Sequence, residues 1–460
     1  MFVGREKELI DLKKCYQSEK FENILITGRR GIGKSTFVIE SLKDFDGYKI
    51  YYQCINQDIK TNLKCFSELV FSALDSFIKD SNTLDTFESL LELIFEIGIN
   101  HKILLIIDEY LYLQNDMPSI DSILQRVIDK YHRESKLKLV IMGSNVTAMN
   151  QLNYYSAPLY GRFTYKIILS DLDYLHASKF YSNYSLEDKV KAYSVFGGNP
   201  FYLSWINPNL TIEENIIEKI LNNNYLIETP LNVYSNEIKN LPATNTIFTQ
   251  ISNDNHKYID LINTTVSSSN LPNILNPLFD MGLITKEFPI NMLNNDKKIF
   301  YYLEDNFLDF YYHYIHLKDF KLLNGQHKAF FNNYIKEDLE KFFIPKKFEK
   351  IAKQALILMN FKDKLPSPFF NIGKYWYDDP NKIVNAEFDV VYKDIKDLYY
   401  FYEVKYTNKP IDEKVVNHMI SQLDKLNEKD YKLGFVSKSG FDLKDKKDYV
   451  LIDLNDLYSL

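Results

Sequence analysis

The chain has 460 residues, 45% of them hydrophobic and 25% charged, with a formal net charge of −7. That mixture suits a globular protein with more than one core, and the negative balance argues against a chain that coats nucleic acid through bulk charge. Cys15, Cys54 and Cys65 lie outside any metal-binding spacing; with no apolar signal core at the N-terminus and no apolar run near the ~18 residues of a membrane span, a cytoplasmic protein that meets no membrane is expected.

In chain order, Glu6–Ser18 has the spacing of an amphipathic helix, and Asn23–Thr27 is a short apolar strand running into a glycine-rich turn. A helix is expected over Ser35–Leu42, a strand over Lys49–Gln53, and helices over Lys64–Lys79 and Thr86–Gly98. Lys102–Ile107 and Lys138–Met142 are continuous apolar strands, the pattern of a parallel sheet covered on both faces, with a helix at Ser119–His132 between them. Strands alternating with helices predict an α/β fold. After the strand Tyr165–Leu169 the pattern is mainly helical from Ala177 to about Asn224, and a boundary is expected near Thr229–Pro242. Three short helices and a two-stranded wing (Ile284–Phe288 and Lys298–Leu303) come next, then a helix at Asn306–Leu317. Gly325–Asn333 resembles a linker, followed by a helix at Leu339–Leu358, strands at Ala386–Tyr392 and Leu398–Tyr406, a helix at Ile411–Asn427 and a strand at Lys432–Ser437. The expected domains are 1–170, 171–232, 233–317 and 336–460, with a linker over 318–335.

Gly28-Arg29-Arg30-Gly31-Ile32-Gly33-Lys34-Ser35 fits the phosphate loop G-x-x-x-x-G-K-[ST], with Thr36 directly after it. Small residues are needed there so that backbone N–H groups can wrap a β-phosphate. Lys34 is placed to reach the β- and γ-phosphates, and the Ser35 hydroxyl to bind Mg²⁺, while the following helix presents its positive end to the anion. The preceding strand and following helix meet the context this motif requires, and ATP is the expected ligand. Lys102–Ile107 ends in Asp108-Glu109. Asp108 is expected to hold the metal's hydration shell and Glu109 to polarise the attacking water.

These residues resemble the archaeal-type P-loop ATPases, a family related to the AAA+ and signal-transducing (STAND) ATPases. The resemblance starts at Phe2-Val3-Gly4-Arg5-Glu6 and implies that Phe2, Gly4 and Arg5 lie on the adenine side. It implies a sensor role for Ser144, or else Asn145, and a charge-stabilising role for Arg162 toward its own nucleotide or a neighbour's. It implies a helical lid with Pro200, in Gly197-Gly198-Asn199-Pro200, packing on the nucleotide. Beyond the lid, Leu271–Lys286 resembles the recognition helix and first wing strand of a winged helix, either a DNA-binding element or a rigid joint. Few basic groups on that helix favour the joint.

Near the C-terminus, Glu387 and Asp389 share one strand face, and Glu403 and Lys405 share one face of the next strand. Paired antiparallel, these strands bring Asp389, Glu403 and Lys405 together, with Glu349 available from the preceding helix. That set could bind Mg²⁺ and hold a water for phosphodiester attack. The pattern resembles the PD-(D/E)xK nuclease fold, lacking the proline before Asp389, with Gln422 at a position of an assisting polar residue. The resemblance thus implies an AAA+-like P-loop domain (a parallel sheet flanked by helices), a helical lid, a winged helix and an α/β restriction-endonuclease-like domain. Glu349, Asp389 and Glu403 are the expected metal ligands there. Two functions follow: an ATPase switch coupled to a DNA nuclease, or a STAND-like ATPase whose last domain binds DNA or protein without cutting. Protein partners and oligomerisation are compatible with both.

Overall fold

The computed structural model describes residues 2–77, 85–222, 226, 238–262, 266–292, 298–318, 323–379, 384–426, 430–445 and 448–460. The chain divides into two compact units, Met1–Ser170 and Asp171–Leu460.

The first unit is built on five parallel strands: β1 (Glu22–Thr27), β2 (Tyr48–Gln53), β3 (Ile103–Asp108), β4 (Lys138–Gly143) and β5 (Tyr165–Ile168). Their order in the sheet is β2-β3-β4-β1-β5. Every residue of β3 and β4 is buried, because alternate side chains feed two separate cores. Leu105, Ile107, Leu139 and Ile141 pack with Phe66, Val70, Leu90 and Ile94 on one face. Leu104, Ile106, Val140 and Met142 pack with Leu12, Phe37 and Val38 on the other. Each such Leu or Ile contributes ~1.5–3 kcal/mol as an upper estimate. Sheet and flanking helices form the AAA+-like P-loop architecture. Register aligns Thr27 with Gly143 and Ile107 with Ile141, so β1, β4 and β3 end along one edge.

The second unit opens with helices, among them Leu186–Phe196 and Pro200–Leu203. Helices Leu241–Ser252, Tyr258–Leu261 and Leu271–Asp280 precede an antiparallel pair, β6 (Ile284–Glu287) with β7 (Phe300–Leu303). A mixed sheet follows, built from β8 (Phe369–Asp379), β9 (Val384–Asp394), β10 (Tyr399–Lys405), β12 (Tyr431–Ser437) and β14 (Tyr449–Ile452). Its order is β14-β12-β10-β9-β8, while β11 (Ile411–Asp412) and β13 (Phe441–Asp442) form a small pair beside it. The helix Ile344–Phe361 buries Ile351, Ala352 and Ala355 and packs on β8, β9 and β10.

Two sequence expectations change. The stretch Gly325–Asn333 is not an extended linker: from His327 the backbone is helical through to Phe361. Phe331 and Ile335 are buried there, and that burial overrides the low helix propensity of the two asparagines. Strand β8 was not expected at all. The register shift between Phe369 and Asn371 adds a residue to this strand and breaks its period of two at the start, while the shift between Gly373 and Tyr375 adds its residue to β9. The expected boundary near 229–242 and the linker residues 319–322 lie largely outside the described residues, as does the predicted helix end at 78–79. No described helix is long and apolar enough to cross a membrane.

Candidate functional site

The phosphate loop leaves β1 at Gly28, where an added Cβ would stand 2.7 Å from the Leu169 carbonyl oxygen. Gly31 and Gly33 take φ of 82° and 88°, a region that only glycine enters without strain. Ile32 is buried against the core that holds Phe37 and so anchors the loop, whereas Arg30 is exposed and Arg29 buried. The Lys34 ammonium donates to the carbonyls of Gly28 at 2.7 Å and Arg29 at 3.2 Å, which brings it across the mouth of the loop. A phosphate oxygen presented there would take over those bonds. Ser35 and Thr36 are exposed in the first turn of the helix Lys34–Ser41. Phe2 lies beside that helix, its ring 6.4 Å from that of Phe37; Gly4 and Arg5 take φ of 70° and 68°. Arg5 is buried and its guanidinium donates to the Ser170 carbonyl.

The strand order brings the acidic pair to this loop. The Ser35 hydroxyl donates to Asp108 Oδ2 at 3.2 Å. A hydroxyl and a carboxylate so close are the oxygen donors a hard divalent cation takes, and the pair fits Mg²⁺. Asp108 also accepts from the Tyr51 hydroxyl at 2.5 Å, on Oδ2, and from the Glu109 N–H at 2.8 Å, on Oδ1. Burial, then the hydrogen bond to Asp108, raises the Tyr51 phenol above its ordinary range, so it stays a donor. Glu109 has φ of 50°, costly for a residue with a Cβ. Its carboxylate accepts from the Ser144 hydroxyl at 3.0 and 3.1 Å. Since β4 lies between β1 and β3, Ser144 follows the strand that separates the loop from the acids. Asn145 is engaged otherwise: its side chain caps the helix Val146–Gln151 through Ala148 N–H.

Arg162 lies at the other edge of the sheet. Its carbonyl accepts from Asn23 near the start of β1, while its guanidinium holds Asp129 with two bonds of 2.8 and 2.9 Å. A six-residue strand spans roughly 20 Å, so β1 separates the Arg162 backbone from the phosphate loop at its other end. Pro200 belongs to the second unit, where it opens the helix Pro200–Leu203 under an Asn199 cap.

In the second unit, β9 and β10 pair antiparallel with Tyr402 opposite Val390, and the same register continued sets Glu403 opposite Asp389. On the other side Gly373 faces Val391 and Tyr375 faces Phe388, so Lys374 lies across from Val390 and Asp389. Lys374 was missed in the sequence because its strand was. Its ammonium stands 2.9 Å from Glu387, 3.7 Å from Asp389 and 3.9 Å from Glu349, and Lys405 pairs with Glu403. Burial, then the Asp389 charge, pushes the Glu349 carboxyl up to about 8. Burial also lifts Asp389, against the pull of Lys374. Burial alone would depress Lys374, but Tyr302, Glu349, Glu387 and Asp389 together hold it above the lysine range. Ammonium groups therefore stand among the carboxylates of Glu349, Asp389 and Glu403, the expected metal ligands. Among the described residues no group of three or more His, Cys, Asp or Glu is placed to hold a metal.

A glycine-lined loop ending β1, an acid pair ending β3 and the Ser144 hydroxyl after β4 between them make the arrangement of a P-loop ATPase site. Residues 2–206 match the model of an ATPase domain predominantly from Archaea. Residues 311–423, which include the whole acidic row, match a family of archaeal and bacterial proteins of unknown function. An uncharacterised protein of Methanocaldococcus jannaschii is 29% identical over 473 aligned residues, covering 99% of this chain and 100% of the relative. Among solved structures, the Walker-type ATPase of Pyrococcus abyssi aligns with a TM-score of 0.48 at 16% identity, covering 68% of this chain and 96% of that one. The Aeropyrum pernix ORC2 protein aligns with a TM-score of 0.41 at 13% identity, covering 71% and 94%.

Proposed function

We propose that this ATPase is a switch whose turnover controls a nuclease-like C-terminal domain acting on DNA. The observation that carries the ATPase half is the chain of contacts Tyr51–Asp108–Ser35 and Ser144–Glu109 along one sheet edge. In this reading Lys34 and the loop N–H groups bind the β- and γ-phosphates. Mg²⁺ held at Ser35 and Asp108 would supply neutralising charge to the phosphates. Ser144 orients Glu109, which takes a proton from the attacking water as it adds to the γ-phosphorus and ADP leaves. The strained Glu109 backbone is the device that aims its carboxylate.

What supports the coupling is the helix Ile344–Phe361. Gln354 accepts from Tyr174 N–H at 3.2 Å and donates to the Tyr193 hydroxyl at 3.0 Å, both on the expected lid. Lys353 pairs with Glu287 on β6 at 2.6 Å and Lys350 with Glu304 at 2.8 Å. Glu349, on the same helix, faces the acidic row. One rigid element thus touches the lid, the winged-helix-like segment and the row. Lys374 among the carboxylates favours a second reading, in which the last domain binds DNA or protein without cutting. The test is cleavage of linear, nicked and branched DNA with Mg²⁺ or Mn²⁺ by wild type, Asp389→Ala and Lys34→Ala. The nuclease reading expects cutting that Asp389→Ala abolishes and Lys34→Ala uncouples from ATP. No cutting by wild type, or equal cutting by Asp389→Ala, leaves the second reading standing.

A further inference from the structure

We propose that Lys374 is the resident cation of the C-terminal acidic row and locks it against divalent metal until β8 moves. This rests on reading the row as a site at all. The Lys374 ammonium is the one group within 4 Å of the carboxylates of Glu349, Glu387 and Asp389 among the described ion pairs, and its side chain is 22% exposed. Lys405 occupies the fourth carboxylate, Glu403. A divalent cation needs carboxylate oxygens at ~2.0–2.6 Å converging on one centre. The Lys374 ammonium, within 4 Å of all three carboxylates, stands in the space on which their oxygens would converge. The ammonium and the metal are therefore alternatives.

The backbone beside Lys374 is clamped. The Asn291 side chain bonds both edge groups of Trp376, donating to its carbonyl at 2.6 Å and accepting from its N–H at 3.2 Å. The Trp376 ring lies 4.2 Å from that of Phe300 on β7. Just before the lysine, the place of a Cβ on Gly373 is 3.5 Å from the Phe288 carbonyl. The β6–β7 pair and the turn beside it thus hold an edge strand that would otherwise be open, and with it the lysine. A shift of that segment is the motion that withdraws Lys374.

The test is Mn²⁺ binding to the full chain without nucleotide, read by electron paramagnetic resonance of free Mn²⁺. All proteins carry Asp108→Asn to silence the ATPase site. Lys374→Met should gain one Mn²⁺ at least ~10-fold tighter than its parent, and adding Asp389→Asn should remove it. Asn291→Ala, which loosens β8 and leaves the row intact, should tighten Mn²⁺ in the same direction, and keeps the test valid if Lys374→Met fails to fold. If the parent binds that Mn²⁺ as tightly as the variants, the lock is overturned while the row stands as a metal site. If neither folded variant binds Mn²⁺ through Asp389, both the lock and the metal reading of the row fail.

Discussion

At the residue scale, the ATPase site combines groups the sequence announces with one that it hides. Lys34 and Ser35 are readable because their chemistry needs neighbours in the chain: the glycines, the lysine and the hydroxyl follow one another. Asp108-Glu109 is readable because a buried strand that ends in two acids is conspicuous. Tyr51 gives no such signal. It reaches Asp108 from β2, the neighbouring strand, and in the sequence it is one of several aromatics on a half-buried strand. Its role is a prediction in its own right. A hydroxyl that orients a metal ligand tunes the metal's affinity. Tyr51→Phe should raise the Mg²⁺ concentration for half-maximal ATP hydrolysis about tenfold, with nucleotide binding in the absence of metal unchanged. An unaltered Mg²⁺ dependence would remove Tyr51 from the site. Lys374 was hidden for another reason: a bulge after Phe369 interrupts the alternation that marks its strand.

At the element scale, apolar periodicity gave β1, β3 and β4 within a residue or so, because continuous burial on two faces leaves long apolar runs. It failed where tertiary contacts decide. The helical run from His327 to Phe361 contains two stretches of wider π-type turns, Phe331–Ile335 and Leu339–Phe343, which shift the buried face and blur a 3.6-residue period. The turn Gly197–Pro200 was readable as punctuation, but the fold gives Gly198 a sharper task. A Cβ there would lie 1.8 Å from the Leu172 carbonyl oxygen, a backbone atom that cannot swing aside. Leu172 N–H in turn donates to the Gly198 carbonyl at 2.9 Å. Gly198→Ala should therefore destabilise the second unit by about 3 kcal/mol, as for other overpacked sites. Thermal unfolding with separate probes for the two units would check this. A change confined to ±0.5 kcal/mol, as on an open surface, would contradict it.

At the scale of the whole molecule, the chain is an ATPase unit followed by a larger unit in which the helices that open it, the β6–β7 segment and the C-terminal sheet share one helix as a common contact. The placement of Arg162 bears on assembly. It is held by Asp129 at the end of the sheet away from its own loop. In an oligomer, mixing Arg162→Ala with Glu109→Gln should restore part of the turnover that each lacks, since mixed interfaces pair an intact Glu109 with an intact Arg162. No restoration at any ratio would exclude action across an interface. The central claim is that Glu109, aimed by Ser144, is the base of an ATP-hydrolysing site. Its most direct test is steady-state ATP hydrolysis by Glu109→Gln alongside ATP binding. The geometry predicts binding close to wild type and turnover lowered by roughly 10²–10⁴; hydrolysis at the wild-type rate would contradict it.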